Sequence, residues 1–197
     1  ADHDPRFFFT IKLDVQYQGP QPTPVMDRFL YQIAGGDPTL IRRIWQVIGY
    51  CVVPQDNRAK RFFLFQGLGN TGKSVLGSLL ASFYEESAVG SVDAFRLGDR
   101  FSLSALASKA LNISMDLPSS ALNDQAVGVI KQITGNDLVQ VEEKYKTPYA
   151  ARVGVKLVFG TNHQLRTTTF DAAFLRRICL VIFNHVVPKY QQDPYLL

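Results

Sequence analysis

Apolar residues fall along this chain in two patterns, short unbroken runs and stripes at helical spacing. The runs Phe62-Phe63-Leu64-Phe65, Ala110 to Met115, Val153 to Gly160 and Ile178 to Phe183 read as strands. Helices lie between and before them. From Pro24, Val25, Phe29, Leu30 and Ile33 share one helical face until Gly35-Gly36 stops the turn. Asp37-Pro38 then restarts a helix, with Asp37 as N-cap and Pro38 in the first turn. Its apolar positions Leu40, Ile41, Ile44, Trp45, Val47 and Ile48 cover more than half the circumference, which predicts a largely buried helix. Trp45 reads as core rather than as a base-stacking platform. Further helices are expected over about Lys73 to Tyr84, over Ser102 to Ala107, and over Asn123 to Ile133. The last carries Val127, Ile130 and Ile133 on one stripe and is stopped by Gly135-Asn136-Asp137.

The first 23 residues contain a short β-like run, Phe7 to Leu13, followed by an extended, proline-marked linker over Gly19 to Pro24. Leu138 to Val141 is a further strand, and with the segment from Arg152 to Phe159 it predicts a hairpin whose projecting tip is Glu142 to Tyr149. The chain begins mid-pattern without an initiator Met and ends at Leu197 just after an apolar segment, as expected of a piece of something longer.

One motif organises these elements. After the run Phe62 to Phe65, Gly67-Leu68-Gly69-Asn70-Thr71-Gly72-Lys73-Ser74 fits the Walker A pattern at every fixed position, between the strand and the helix that the motif requires. A Gly-rich turn with a chance Lys-Ser is the bland alternative. Glycines at 67, 69 and 72 free the backbone so that N–H groups can turn inward around a phosphate. The helix opening near Lys73 points its positive end at the same anion. Lys73 would reach the β- and γ-phosphates of ATP, Ser74 would offer its hydroxyl to Mg²⁺, and Val75 completes the nucleotide-binding segment. Asp116, at the end of the strand from Ala110, is the candidate acid that holds Mg²⁺, although Leu117-Pro118 makes a plain turn the alternative. Asn162, beyond the end of the strand from Val153, is placed to hold an attacking water, with a strand-end turn as its bland reading. Lys144, Tyr145 and Lys146 at the hairpin tip suit a nucleic-acid backbone with a ring beside it, and a solvated loop tip would look the same. Of the adjacent Arg176 and Arg177, one can serve a neighbouring surface while the other stays structural.

Composition narrows the setting without deciding function. A chain of 197 residues with 46% hydrophobic residues can bury one substantial core. Its formal charge of +4 is compatible with nucleic acid. Cys51 and Cys179 lie far apart in apolar stretches and read as buried free thiols. No apolar stretch approaches the roughly 18 residues of a membrane span, and no signal-peptide pattern opens the chain, so a cytoplasmic setting is expected.

Taken in order, "PTPVMDRFLYQIAGGDPTLIRRIWQVIGYCVVP", "FQGLGNTGKSVL", "KQITGNDLVQVEEKYKTPY", "KLVFGTNHQL" and "DAAFLRRICLVIF" resemble the superfamily III helicases, most closely the ATPase domain of phage, plasmid and poxvirus-type primase-helicases. The resemblance spans roughly residues 24 to 188. It implies an α/β fold of P-loop NTPase type: an AAA+-like parallel sheet flanked by helices, a small N-terminal helical segment and a β-hairpin insertion. The implied organisation is a linker over 1–23, a helical lead-in over 24–60, an ATPase core over 61–188 and a tail over 189–197. The implied activity is ATP-dependent, replicative DNA helicase action by a homo-hexameric ring on single-stranded or forked DNA, with ATP at subunit interfaces and a primase domain or partner elsewhere. If the protein is phage-encoded, its place is the host cytoplasm. By the same resemblance Lys73 and Ser74 take phosphate and Mg²⁺, Asp116 is the Walker B acid, and Asn162 is the sensor. Arg176 is the arginine finger, with Arg177 the second choice, and Lys144, Tyr145 and Lys146 line the central channel. Met115-Asp116-Leu117 departs from the family in offering one carboxylate where two are usual, and no primase motif is present. A nucleotide-dependent DNA-binding or assembly module with little hydrolysis is therefore the alternative. A metabolic kinase would need an acceptor pocket and lid that cannot be identified in the sequence.

Overall fold

Phe62, Phe63, Leu64 and Phe65 are all buried, and a strand apolar on both faces needs cover on both. The computed structural model, which describes residues 11–53, 57–168, 171–193 and 196, supplies that cover with helices on either side of a parallel sheet. In chain order the elements are α1 (Pro24–Ile33), α2 (Pro38–Val52), β1 (Phe62–Gly67), α3 (Lys73–Ala81), β2 (Val89–Gly90), α4 (Ser102–Leu106), β3 (Leu111–Leu117), β4 (Ala121–Leu122), α5 (Asp124–Gly135), β5 (Leu138–Val141), β6 (Tyr149–Arg152), β7 (Lys156–Thr161), β8 (Arg166–Thr167), α6 (Ala172–Leu175) and β9 (Ile178–Phe183). The main sheet has five strands in the order β2-β3-β7-β1-β9, and every neighbouring pair is parallel. Alternation along β1 sends Phe63 and Phe65 into one core with α1, α2 and α3, and Phe62 and Leu64 into a second core with α5 and α6. Rings lock both layers: Phe65 meets Phe183 edge-on at 5.5 Å, and Phe62 lies 5.6 Å from Phe174.

The cap read from sequence at Asp37 is in place, and the structure adds another at Asn123. Asp37 accepts a hydrogen bond from Thr39 N–H at 2.8 Å, and Asn123 caps α5 by accepting from Ala126 N–H at 2.8 Å. Asn136 ends α5 in the left-handed conformation. Val127, Ile130 and Ile133 are buried together.

Several expectations need correction. α2 buries only one face, Ile44, Val47, Ile48 and Cys51, and Trp45 is 39% exposed, because a single sheet face lies behind the helix. Val25 is likewise exposed at the start of α1. α3 stops at Ala81, and Tyr84 instead forms a bridge with Leu13. Cys179 is half-buried rather than buried, its Sγ accepting from Arg43 Nη1 at 3.7 Å. The hairpin exists, but its return strand is β6, paired antiparallel with β5 from Leu138↔Arg152 to Val141↔Tyr149. The apolar run after it belongs to β7 in the main sheet. Residues Phe7 to Thr10 of the N-terminal run, and Phe170, lie outside the described residues.

β3 carries an irregularity that matters for the site. Its register with β7 passes from Ser114↔Phe159 to Leu117↔Thr161, so Met115 and Asp116 stand opposite Gly160 alone. One extra residue flips the faces after it: Ile113 and Met115 pack on the first core, while Leu117 enters the second. Gly160 permits this, since a Cβ there would sit 2.9 Å from Met115 Cα and carbonyl oxygen.

Two consequences can be measured. Burial pushes the Cys51 thiol and the Tyr84 phenol up to about 12, and the Tyr84 hydroxyl donates to the Cys51 carbonyl at 2.6 Å. A group whose native pKa lies above its unfolded value keeps its proton longer in the native state, so stability falls as pH rises through that window. Urea unfolding should show stability falling from about pH 9 for Cys51, and from about pH 10 for Tyr84, towards pH 12. Cys51→Ala should flatten this limb by up to about 1.4 kcal/mol per pH unit; an unchanged slope would remove the thiol from the account. Gly72→Ala places a Cβ against Ile33 Cγ2 at a residue with φ +85°, and should destabilise the chain by about 1–3 kcal/mol in the same assay.

Candidate nucleotide-binding site

β1 ends at Gly67, where any side chain would overlap the carbonyl oxygen of Phe183 on β9. The chain then turns through Asn70 (φ +61°) and Gly72 (φ +85°), both left-handed, into α3 at Lys73. Gly69 corrects the sequence reading. Its backbone is not left-handed and nothing stands within 4 Å of a Cβ built there, so it faces open space rather than a conformational demand. Gly72 has no side chain to cap α3, which leaves the first N–H groups of that helix without a side-chain partner, unlike those of α2 and α5.

Lys73 is buried at the centre of the loop. Its ammonium donates to the carbonyls of Gly67 at 2.7 Å and Leu68 at 2.6 Å, and to Thr71 Oγ1 at 3.2 Å. Burial holds its pKa below the usual lysine value. Thr71, also buried, donates its hydroxyl to Leu68 O at 2.9 Å and so braces the turn. All three donors of the ammonium are occupied by the loop itself, and an anion entering the loop would compete for them.

The loop forms one wall of a cleft of about 1040 Å³ at the carboxyl ends of the parallel strands. Gly69 to Val75 line it, and Asp116 and Asn162 reach it from β3 and from just beyond β7. Asp116 does not end its strand as expected; it lies within β3 at the bulge, with its side chain exposed. Asn162 is exposed, on a turn in which Thr161 Oγ1 accepts from His163 N–H at 3.0 Å. Ser74 and Asp116 bring a hydroxyl and a carboxylate to the same cleft, hard oxygen donors that suit Mg²⁺. Among the described residues no group of three or more His, Cys, Asp or Glu could hold an ion, so one bound here would complete its shell from phosphate and water.

The remaining sequence candidates lie away from this cleft. Arg177 is tied down, its Nε donating to Thr134 Oγ1 at 3.1 Å and an Nη to Ala173 O at 2.7 Å. Arg176 at the end of α6 is exposed, and its guanidinium has no partner among the described residues. At the hairpin tip Tyr145 is fully exposed with φ +65°. Lys146 is paired with Glu143, which raises the lysine pKa and lowers that of the carboxylate, chiefly through their hydrogen bond.

Two groups of residues went unread in the sequence. Arg28 and Gln32 on α1, and Lys189, Gln192 and Asp193 on the segment after β9, line the same cleft. Phe101, just before α4, has Arg100 5.3 Å and Lys144 5.8 Å from its ring centroid, and Arg100 Nε donates to Glu142 at 2.7 Å. The hairpin base thus joins a basic and aromatic surface. Asp99-Arg100-Phe101 is an aromatic flanked by charge, a signal that gained meaning only when the hairpin was seen beside it.

Comparison with solved structures places the fold. The C-terminal region of NrS-1 superposes with a TM-score of 0.67 at 16% identity, over 89% of this chain and 41% of that one. A complex of JCV helicase with a substituted N-phenylacetamide compound superposes at 0.50 and 16% identity, over 87% and 47%. The chain therefore spans less than half the length of either, and at this identity the likeness establishes a shared helicase-type fold. Residues 65–177, from β1 through α6 and so including the phosphate loop, Asp116 and Asn162, match the family of unknown function DUF5906, and this chain belongs to that family.

Proposed function

We propose that this chain is the ATP-hydrolysing core of a ring-forming DNA helicase of superfamily III type. The observation that carries the reading is the cleft itself: a Walker A loop, an acid at a bulged strand and a strand-end Asn open on one volume large enough for a nucleoside triphosphate. A second, apolar pocket of about 340 Å³ shares Val25, Phe29, Val75 and Leu196 with the cleft, and there the base of ATP would lie. In this scheme the Lys73 ammonium leaves the carbonyls of Gly67 and Leu68 for the β- and γ-phosphates, at little cost because it exchanges one set of oxygen acceptors for another. Ser74 and Asp116 hold Mg²⁺, which offsets charge on the phosphates. Asn162 orients the attacking water. Arg176, exposed and remote from its own cleft, is the group to reach the γ-phosphate of an adjacent subunit in a homo-hexamer. Lys144, Tyr145 and Lys146, with Phe101 and Arg100 beneath them, grip single-stranded DNA through phosphate charge and ring contact. A primase domain or partner, and a cytoplasmic place of action, belong to the same proposal.

One observation favours a second reading, a module that grips DNA according to nucleotide state and hydrolyses slowly. Asp116 stands between Met115 and Leu117, without a second carboxylate next to it in the strand.

ATP hydrolysis measured against protein concentration, with and without single-stranded DNA, separates the two. A helicase core should show turnover that rises more steeply than concentration, increases with DNA, and falls by about 10³-fold or more in Arg176→Ala and to background in Lys73→Ala. ATP binding without turnover in the wild type would favour the module. Lys144→Ala with Lys146→Ala should weaken single-stranded DNA binding and lower its salt slope by about 1–2, in fluorescence anisotropy at stepped salt. An unchanged slope would take the hairpin tip out of the DNA site.

A further inference from the structure

The segment after β9 lies over the candidate nucleotide cleft as a strap fastened at both ends. At one end Val187 N–H donates to the carbonyl of Asn70 in the phosphate loop at 2.9 Å. Gln192 Nε2 folds the strap on itself by donating to Val187 O at 2.9 Å. At the other end α1 holds it: Gln32 Nε2 donates to Gln191 O at 3.4 Å, and Arg28 lies 3.7 Å from the Asp193 carboxylate. α1 is itself rigid against the loop, since Ile33 and Phe29 pack over Gly72.

Charge makes the last contact unlike the others. Arg28, Lys73 and Lys189 bring positive charge to the cleft lining, and Asp116 and Asp193 bring negative charge. Asp116 has Mg²⁺ as its partner in the proposed site, whereas Asp193, paired with Arg28, would face an arriving polyphosphate. The Arg28–Asp193 pair is long and its side chains are 62% and 41% exposed, so it is weak and readily exchanged.

We infer that Arg28 is a nucleotide-binding residue that trades partners: it holds Asp193 when the cleft is empty and a phosphate oxygen when nucleotide is bound, so that Asp193 competes with ligand for Arg28 and loading removes one of the contacts that fasten the strap to α1. The inference rests on the nucleotide-binding reading above. A strap of this kind makes affinity depend on both members of one ion pair with opposite sign, which neither a purely structural bridge nor a lid closed over the ligand would do.

Equilibrium binding of the N-methylanthraniloyl derivative of ATP with Mg²⁺, followed by fluorescence, tests this, with circular dichroism to show that each variant is folded. Asp193→Asn should tighten binding about two- to five-fold, the equivalent of one exposed ion pair. Arg28→Ala should weaken it about ten-fold or more, as loss of a charge-assisted contact does, with Arg28→Lys recovering part of the loss. The double variant should bind like Arg28→Ala alone. Equal weakening by both single changes would show the pair closing over the bound ligand, and tightening by Asp193→Asn that persists without Arg28 would show simple repulsion. Either result overturns the inference. Binding that is lost in Lys73→Ala but indifferent to Arg28 and Asp193 overturns it while sparing the nucleotide site. Absence of saturable binding by the folded wild type overturns both.

Discussion

A side chain at residue 67 would occupy the place of the Phe183 carbonyl oxygen, and the whole site depends on that close approach of β1 to β9. β1 can run to the edge of the sheet only because it ends in glycine. From there the chain turns through Asn70 and Gly72 in left-handed conformations, and Gly72 in turn lets α1 press Ile33 against the loop. The loop is thus held between β9 and α1, and α3 starts from it without a side-chain cap. Burial of Phe62 to Phe65 on both faces fixes the strand beneath. Stability and anion-binding geometry here arise from the same contacts, each stabilising phenylalanine contributing about 1.5–3 kcal/mol of burial.

A second glycine does comparable work across the sheet. Gly160 on β7 leaves room for the backbone of Met115, and the extra residue of β3 is taken up at Met115 and Asp116. Without the bulge Leu117 would share the face of Met115, and the alternation would aim Asp116 differently. The position of the one acid on β3 is therefore set by packing, and its single carboxylate sets the central chemical question for the proposed function, since the strand itself supplies no second acid for hydrolysis.

What could be read from the sequence was local or carried by a fixed motif. The Asp37 cap, the Val127-Ile130-Ile133 stripe and the phosphate loop between strand and helix each depend on residues within a few positions of one another. Trp45 was misread because the apolar pattern of α2 is wider than the single sheet face that covers it. The hairpin's return strand was misplaced because β6, Tyr149-Ala150-Ala151-Arg152, is less apolar than the run that follows it, and that run is claimed by pairing with β3 and β1. The strap was invisible for a different reason. Gln32 and Gln191 stand 159 positions apart, and nothing in either neighbourhood signals that they meet over a cleft. Arg28 and Asp193 went unread in the same way, since they stand far apart in the chain and meet only in the fold.

The most direct test of the account is a titration of the ¹⁵N-labelled chain with Mg²⁺ and a slowly hydrolysed ATP analogue, following backbone amide resonances. If the phosphates sit in the cradle formed by the loop and the start of α3, the amides of Gly69 to Ser74 should move most, saturably, and together with those of Asn162 and Asp116, while those of the hairpin tip from Lys144 to Lys146 should not move by direct contact. Saturable shifts centred elsewhere, with the loop amides unmoved, would contradict the site on which the proposed function rests.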